Sequence, residues 1–225
     1  MANNFVDIFA APKKVFFRLN EHPSWFLPWL LTSILLASVQ FGFYRLVDSE
    51  YLLDQLVEKS LLPGMDASDL RVILQPIIAN KTLLAISASV GVPFSLLLLF
   101  LSNAIYLGFI SKFSDEPVGF RRWFALSAWC NVPAIITAFG GWFIILRSGS
   151  FIELSNLNPF SLNYLLSIDE KFSGLFSYLN LISLWTIGLT VYGYKCFTSS
   201  SILKATIIVV LPYILIVGIW AWILL

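Results

Sequence analysis

The amino-acid sequence predicts an all-α, polytopic membrane protein, a bundle of five transmembrane helices with short amphipathic interfacial helices, forming one membrane domain over residues 1–225. Two observations carry this. The 225 residues are 58% hydrophobic and 12% charged, with a mean hydropathy of +0.83, whereas a soluble domain is about 45–50% apolar and about 25% charged. Five stretches also contain no charged residue: 25–44, 82–110, 123–146, 172–194 and 205–225. A hydrocarbon core about 30 Å thick needs about 20 helical residues, and backbone amides within lipid must bond inside their own segment, so each stretch predicts a spanning helix.

The segment 1–24 precedes the first span. Phe5, Phe9, Pro12, Phe16 and Leu19 recur near helical spacing, with Lys13, Lys14 and Arg18 on other faces. This pattern predicts a helix lying along the membrane surface, although a basic flank that only fixes topology would carry the same charges. The apolar run after it is too long for a signal-peptide core and is followed by no small-residue cleavage pattern, so span one reads as an uncleaved anchor.

Span two is the longest and contains Gly91 and Pro93. A proline in a helix removes one hydrogen bond and crowds the preceding turn, which predicts a kink there and similar bends at Pro133 and Pro212. The loop 45–81 divides at Pro63 and Gly64 into two apolar-periodic halves, with Asp66 or Ser68 available to cap the second. It predicts a helical hairpin against the outer surface. The loop 147–171 carries Phe151, Ile152, Leu154, Phe160, Leu162 and Leu166 and is expected against the bilayer as well.

Basic residues in the connections set the orientation. With a cytoplasmic amino terminus, the inner segments hold eight basic residues, including Arg121 and Arg122, against four acids; the outer loops hold six against nine. The amino terminus is therefore placed inside and the carboxyl terminus outside.

The composition excludes several function classes. A net charge of +1 provides no basic field for nucleic acid. His22 is the only histidine, and Cys130 and Cys196 are far apart, so the inventory builds no zinc cluster, redox motif or His-based triad; no metal or cofactor is expected. No Asp, Glu, Lys, Arg or His lies within the five runs, which argues against a proton-coupled pump and against an intramembrane acid–base pair.

The runs do contain four amides: Gln40, Asn103, Asn131 and Asn180. Asn103 and Asn131 both fall about 10–12 Å from the inner ends of their spans, and a mutual hydrogen bond is expected because an unpaired amide in hydrocarbon is costly. Together with Pro93 and Pro133, these residues are expected to shape helix packing. Lys13, Lys14, Arg18, Arg121 and Arg122 are the expected partner contacts. Small residues four apart, Ala85 with Ser89, Ser87 with Gly91 and Ala134 with Ala138, serve either internal packing or a homo-oligomer.

Three segments resemble one family. Phe9-Ala10-Ala11-Pro12-Lys13-Lys14-Val15-Phe16-Phe17, followed by Glu21-His22-Pro23-Ser24-Trp25-Phe26-Leu27-Pro28, resembles the opening of prokaryotic Yip-domain proteins. Ala128-Trp129-Cys130-Asn131-Val132-Pro133 is similar to the family's aromatic-small-x-x-proline element, with tryptophan for the usual tyrosine and cysteine for serine. Trp185, Tyr192-Gly193, the 195–204 turn and Leu211-Pro212 look like its closing helical pair. The resemblance covers almost the whole chain and implies five spans and an inward amino terminus. Eukaryotic relatives engage Rab-type GTPases through a long amino-terminal region with an aspartate-leucine-tyrosine-glycine-proline motif. The sequence has neither, which favours a bacterial inner-membrane protein of the kind that assists ABC-type exporters.

The functional expectation is accordingly a non-enzymatic accessory or assembly partner of membrane transport machinery, with the lipid bilayer and ABC-type transporter subunits as partners. A lipid or small-amphiphile carrier or scramblase is the alternative, motivated by kinked spans and polar amides. An intramembrane enzyme ranks last.

Overall fold

A computed structural model describes residues 2–61, 64–113, 117–168 and 170–225. The described residues form twelve α-helices and one 3-10 turn, Leu154–Leu157. Four helical stretches are long and apolar enough to cross a membrane: α3 (Phe26–Leu46), α6 (Lys81–Ser111), the pair α7 (Phe120–Cys130) with α8 (Ala134–Ser148), and α12 (Ile202–Leu224). They cover the predicted runs 25–44, 82–110, 123–146 and 205–225. Helices α6 and α12 continue through Pro93 and Pro212.

The run predicted at 172–194 is not one helix. It divides into α10 (Glu170–Tyr178) and α11 (Leu181–Thr198). Between them the Leu162 N–H donates to the Leu179 carbonyl at 2.8 Å and the Leu181 N–H to the Phe160 carbonyl at 3.1 Å, so the chain pairs briefly with the segment before α9 (Leu162–Leu166). The Asn180 side chain then caps α11 by accepting the Ser183 N–H at 2.7 Å. A local cap and a two-bond bridge here outcompete the continuous helix that apolar composition alone predicts.

The amino-terminal segment also departs from expectation. It forms two helices, α1 (Ala2–Ala10) and α2 (Pro12–Glu21), separated at Ala11, with Pro12 where its missing N–H costs nothing. Part of their apolar face is covered by protein. Ile8, Val15, Phe16 and Leu19 are buried against α7 and α11, with the Phe16 ring 6.0 Å from Tyr192 and Phe5 4.9 Å from Trp129. Covering apolar side chains with protein removes them from water as effectively as lipid does. Phe9 and Phe17 stay exposed.

The hairpin consists of α4 (Ser49–Ser60) and α5 (Ala67–Ala79); the predicted dividing residue Pro63 lies outside the described residues. Asp48 caps α4 through the Glu50 and Tyr51 N–H groups, and Asp66 caps α5 through Ser68. Leu52, Leu53, Val57, Leu70 and Ile78 are buried with Val39, Phe43, Ile144 and Ile145. Val72, Ile73 and Ile77 on the other face of α5 are exposed. In the segment 147–171, Ile152 and Leu157 join this protein core, whereas Phe151 and Leu166 are exposed. Gln55 fastens the hairpin to that segment, donating to the Ile152 carbonyl at 3.0 Å and accepting the Leu154 N–H at 3.2 Å.

Of the small-residue pairs, Ala85 is buried and the Ser89 hydroxyl reaches the Ala37 carbonyl at 3.2 Å, so this pair faces α3. Ala138 is buried in the core shared with Val39. Ser87 and Gly91 face outward.

Candidate functional site: a cavity between two interrupted helices

The turn Asn131–Pro133 separates α7 from α8 inside one membrane-length stretch. Pro133 supplies no N–H, and the chain crosses the break with short-range bonds: Val132 to Trp129, Ala134 to Asn131 and Ile135 to Val132. The second interruption is the Leu179–Asn180 break. Both border one cavity of about 480 Å³, walled by α6, α8, α11 and α12 and covered by Asn158, Leu162 and Tyr178. Its surface is mainly apolar, contributed by Leu36, Leu99, Ile187 and Val217, with a minority of amides and hydroxyls. A discontinuous helix at membrane depth is tolerated where it borders protein or a cavity, and membrane carriers build binding sites at such breaks.

Three of the four predicted amides meet here: Asn103, Asn131 and Asn180. The expected bond between Asn103 and Asn131 is absent. Asn131, 8% exposed, donates to the Ser127 carbonyl at 2.8 Å, a bond within its own helix. Asn103 lines the cavity together with Tyr213 of α12. Asn180 is committed to capping α11. Gln40 lines a neighbouring cavity of about 500 Å³ that shares Leu36, Thr137 and Asn158 with the first.

The two prolines divide similarly. Pro133 makes the turn beside the cavity, and the Pro93 carbonyl accepts the Trp29 indole N–H at 3.2 Å, joining α3 to α6. Asn158, Tyr178 and Tyr213 were not singled out by sequence. Asn158 sits in a loop with no periodic pattern, and nothing in the sequence places it over a membrane cavity.

The basic residues gather at the opposite end of α7 and α11. There Trp123 stacks on Tyr194 at 5.3 Å, lies 5.5 Å from Phe197 and donates to the Ser111 hydroxyl at 3.2 Å, which brings the ends of α6, α7 and α11 together. Lys13, Lys14, Lys112, Arg121, Lys195 and Lys204 are exposed, and Arg122 is half-buried. Among the described residues none of these seven forms an ion pair. Arg18 differs: it binds Asp7 at 2.7 Å and the Asn4 side chain, locking α1 onto α2. Among the described residues no three His, Cys, Asp or Glu side chains cluster as a metal site.

These features define a polytopic helical membrane protein with a mainly apolar cavity between its helices and, among the described residues, a cationic end. A family model, the Yip1 domain, matches residues 6–223, and the chain belongs to that family. No curated protein and no solved structure matches it.

Proposed function

We propose that the protein is a non-enzymatic accessory or assembly partner of membrane transport machinery, such as an ABC-type exporter, in a bacterial inner membrane. Five crossings place the amino terminus in the cytoplasm and the carboxyl terminus outside. Helix α11 makes the additional crossing: its 18 residues reach about 27 Å at about 1.5 Å each, close to the thickness of a bilayer core. The observation that supports the partner role is the cationic end. Seven basic side chains from α2, α7, α11, α12 and the end of α6 converge without ion-pair partners among the described residues. Basic charges gathered on one face steer an oppositely charged cytoplasmic surface towards it.

Affinity purification from native membranes in mild detergent tests this. Transporter subunits are expected with the wild-type chain and are lost when Lys13, Lys14, Arg121 and Arg122 are changed to Glu. A preparation that retains no partner overturns the partner role. Reporter fusions at both chain ends test the topology, and two ends on one side remove the five-crossing reading. Ser87 and Gly91, exposed on α6, are the contact through which a homo-oligomer would form.

A second reading, a lipid or small-amphiphile carrier, is favoured by the cavity beside two interrupted helices.

A further inference from the structure

We infer that the cavity of about 480 Å³ binds one uncharged, single-chain amphiphile, with its polar head against Asn103, Asn131 and Tyr213. This rests on the carrier reading and specifies its ligand. Size sets the first limit. At about 30 Å³ per water-sized group the space holds about sixteen such groups, enough for one acyl chain of about eight carbons with a small head and too little for a two-chain phospholipid.

Charge sets the second limit. Among the described residues no Asp, Glu, Lys, Arg or His lines the cavity, and an ion brought there would lose its hydration without gaining a counter-charge from them. The helix ends that border it have little to offer an anion. The Ala134 N–H is bonded to the Asn131 carbonyl, the Ser183 N–H to the Asn180 side chain, and the Leu181 N–H to the Phe160 carbonyl.

Recognition therefore falls to neutral side chains. Asn131 is 8% exposed, and its amide nitrogen is held by the Ser127 carbonyl. The other end of that amide, Oδ1, has no hydrogen-bond donor among the described residues. Asn131 lines the cavity, so this acceptor is within reach of a ligand hydroxyl. Asn103 of α6 and Tyr213 of α12 both line the cavity and supply a donor and acceptor pair for an ester or a second hydroxyl. The apolar wall from Leu36, Leu99, Ile187 and Val217 takes the chain. The head matches a glycerol monoester.

The test uses the full chain purified in detergent and 1-monooctanoylglycerol carrying a photoreactive diazirine in its acyl chain. Mass spectrometry is expected to find the label on α8, α11 and α12. Unlabelled monooctanoylglycerol should compete at least ten-fold better than octanoic acid, which has the same chain and an anionic head. Asn131→Leu should weaken binding about ten-fold, as expected for losing one hydrogen bond in a dry site. Should that variant fail to fold, Asn103→Leu carries the same expectation, and Val217→Trp should block labelling by filling the space.

Label outside the cavity, equal competition by the anionic lipid, or unchanged binding by folded Asn131→Leu and Asn103→Leu would each overturn the inference. Because binding is read without a membrane to cross, specific binding combined with no lipid movement in reconstituted vesicles supports the site and removes only the carrier reading.

Discussion

The indole N–H of Trp129 donates to the backbone carbonyl of Ser24 at 2.8 Å, across 105 positions of sequence. The bond ties α7 to the segment between α2 and α3, where the chain turns from its amino-terminal helices into the first span. Trp129 is fully buried, and Phe5 packs on its ring. The closing helical pair joins the same assembly, with Trp185 5.4 Å from Phe9 and Tyr192 6.0 Å from Phe16. The three sequence elements that resemble the Yip domain are thus in physical contact. Trp129→Phe keeps an aromatic ring but leaves the Ser24 carbonyl without its donor. A loss of about 1–3 kcal/mol of stability is expected in unfolding measurements on the detergent-solubilised protein. No loss, with α2 still protected from hydrogen exchange, would show that the bond contributes nothing.

Which parts of this arrangement can be read in the sequence follows from the range of the signal. A charge-free run registers burial in lipid whatever lies beside it, so α3, α6, α7 with α8, and α12 are legible from composition. The Asp66 cap and the α4–α5 hairpin are legible because their signals are local. The break at Leu179–Asn180 is not. It depends on bonds to Phe160 and Leu162, nearly twenty residues earlier, that hydropathy does not see. The amides Asn103, Asn131 and Asn180 are legible as a set, but their partners depend on how each helix is rotated against its neighbours. Depth alone pairs Asn103 with Asn131, whereas the observed rotation turns both towards one cavity. The apolar face of α1 and α2 is likewise visible in sequence, which does not say whether lipid or protein covers it.

Packing between α3 and α8 leaves no room at Gly42. A Cβ there would lie 2.5 Å from the Trp142 ring, which is itself held by its indole bond to the Ser38 hydroxyl at 2.9 Å. Gly42→Ala is expected to destabilise by about 1–3 kcal/mol, through overpacking. Combining it with Trp142→Leu should cost less than the sum of the two single changes, since the clash is gone. Gly91→Ala is the control. Nothing lies within 4 Å of its Cβ position, so removing a helical glycine there should be neutral or stabilising by up to about 1 kcal/mol. Equal destabilisation at both glycines in thermal unfolding would contradict the packing argument.

Gln55 holds the hairpin through one donor and one acceptor, and it is 8% exposed. Gln55→Leu preserves bulk but orphans the Ile152 carbonyl and the Leu154 N–H, each at about 1–3 kcal/mol where water cannot replace the bond. The effect should be local. Faster hydrogen exchange over residues 150–157, with α6 and α12 unchanged, is the expected pattern. Exchange that remains at the wild-type rate in Gln55→Leu would mean that the hairpin is held by apolar burial alone.

The cap of α5 makes stability in this region depend on pH. Asp66 accepts the Ser68 N–H and the Ser68 hydroxyl, both at 2.9 Å, and these bonds hold its carboxyl below the usual aspartate range. A group with a folded value below its unfolded one stabilises the folded form fully above the unfolded value, about 3.9 for aspartate. That contribution fades as pH falls through the lowered folded value, because protonation removes the charge that the helix amino terminus favours. The Asp66 carboxyl signal should therefore titrate with a midpoint under about 3.9 by nuclear magnetic resonance. Exchange protection in the first turn of α5 should decline through that same midpoint. Asp66→Asn, which accepts a hydrogen bond without ionising, should protect that turn equally across the range, and Asp66→Ala should leave it unprotected throughout. A midpoint at the ordinary value, or pH-dependent protection that persists in Asp66→Asn, would assign the effect to another group.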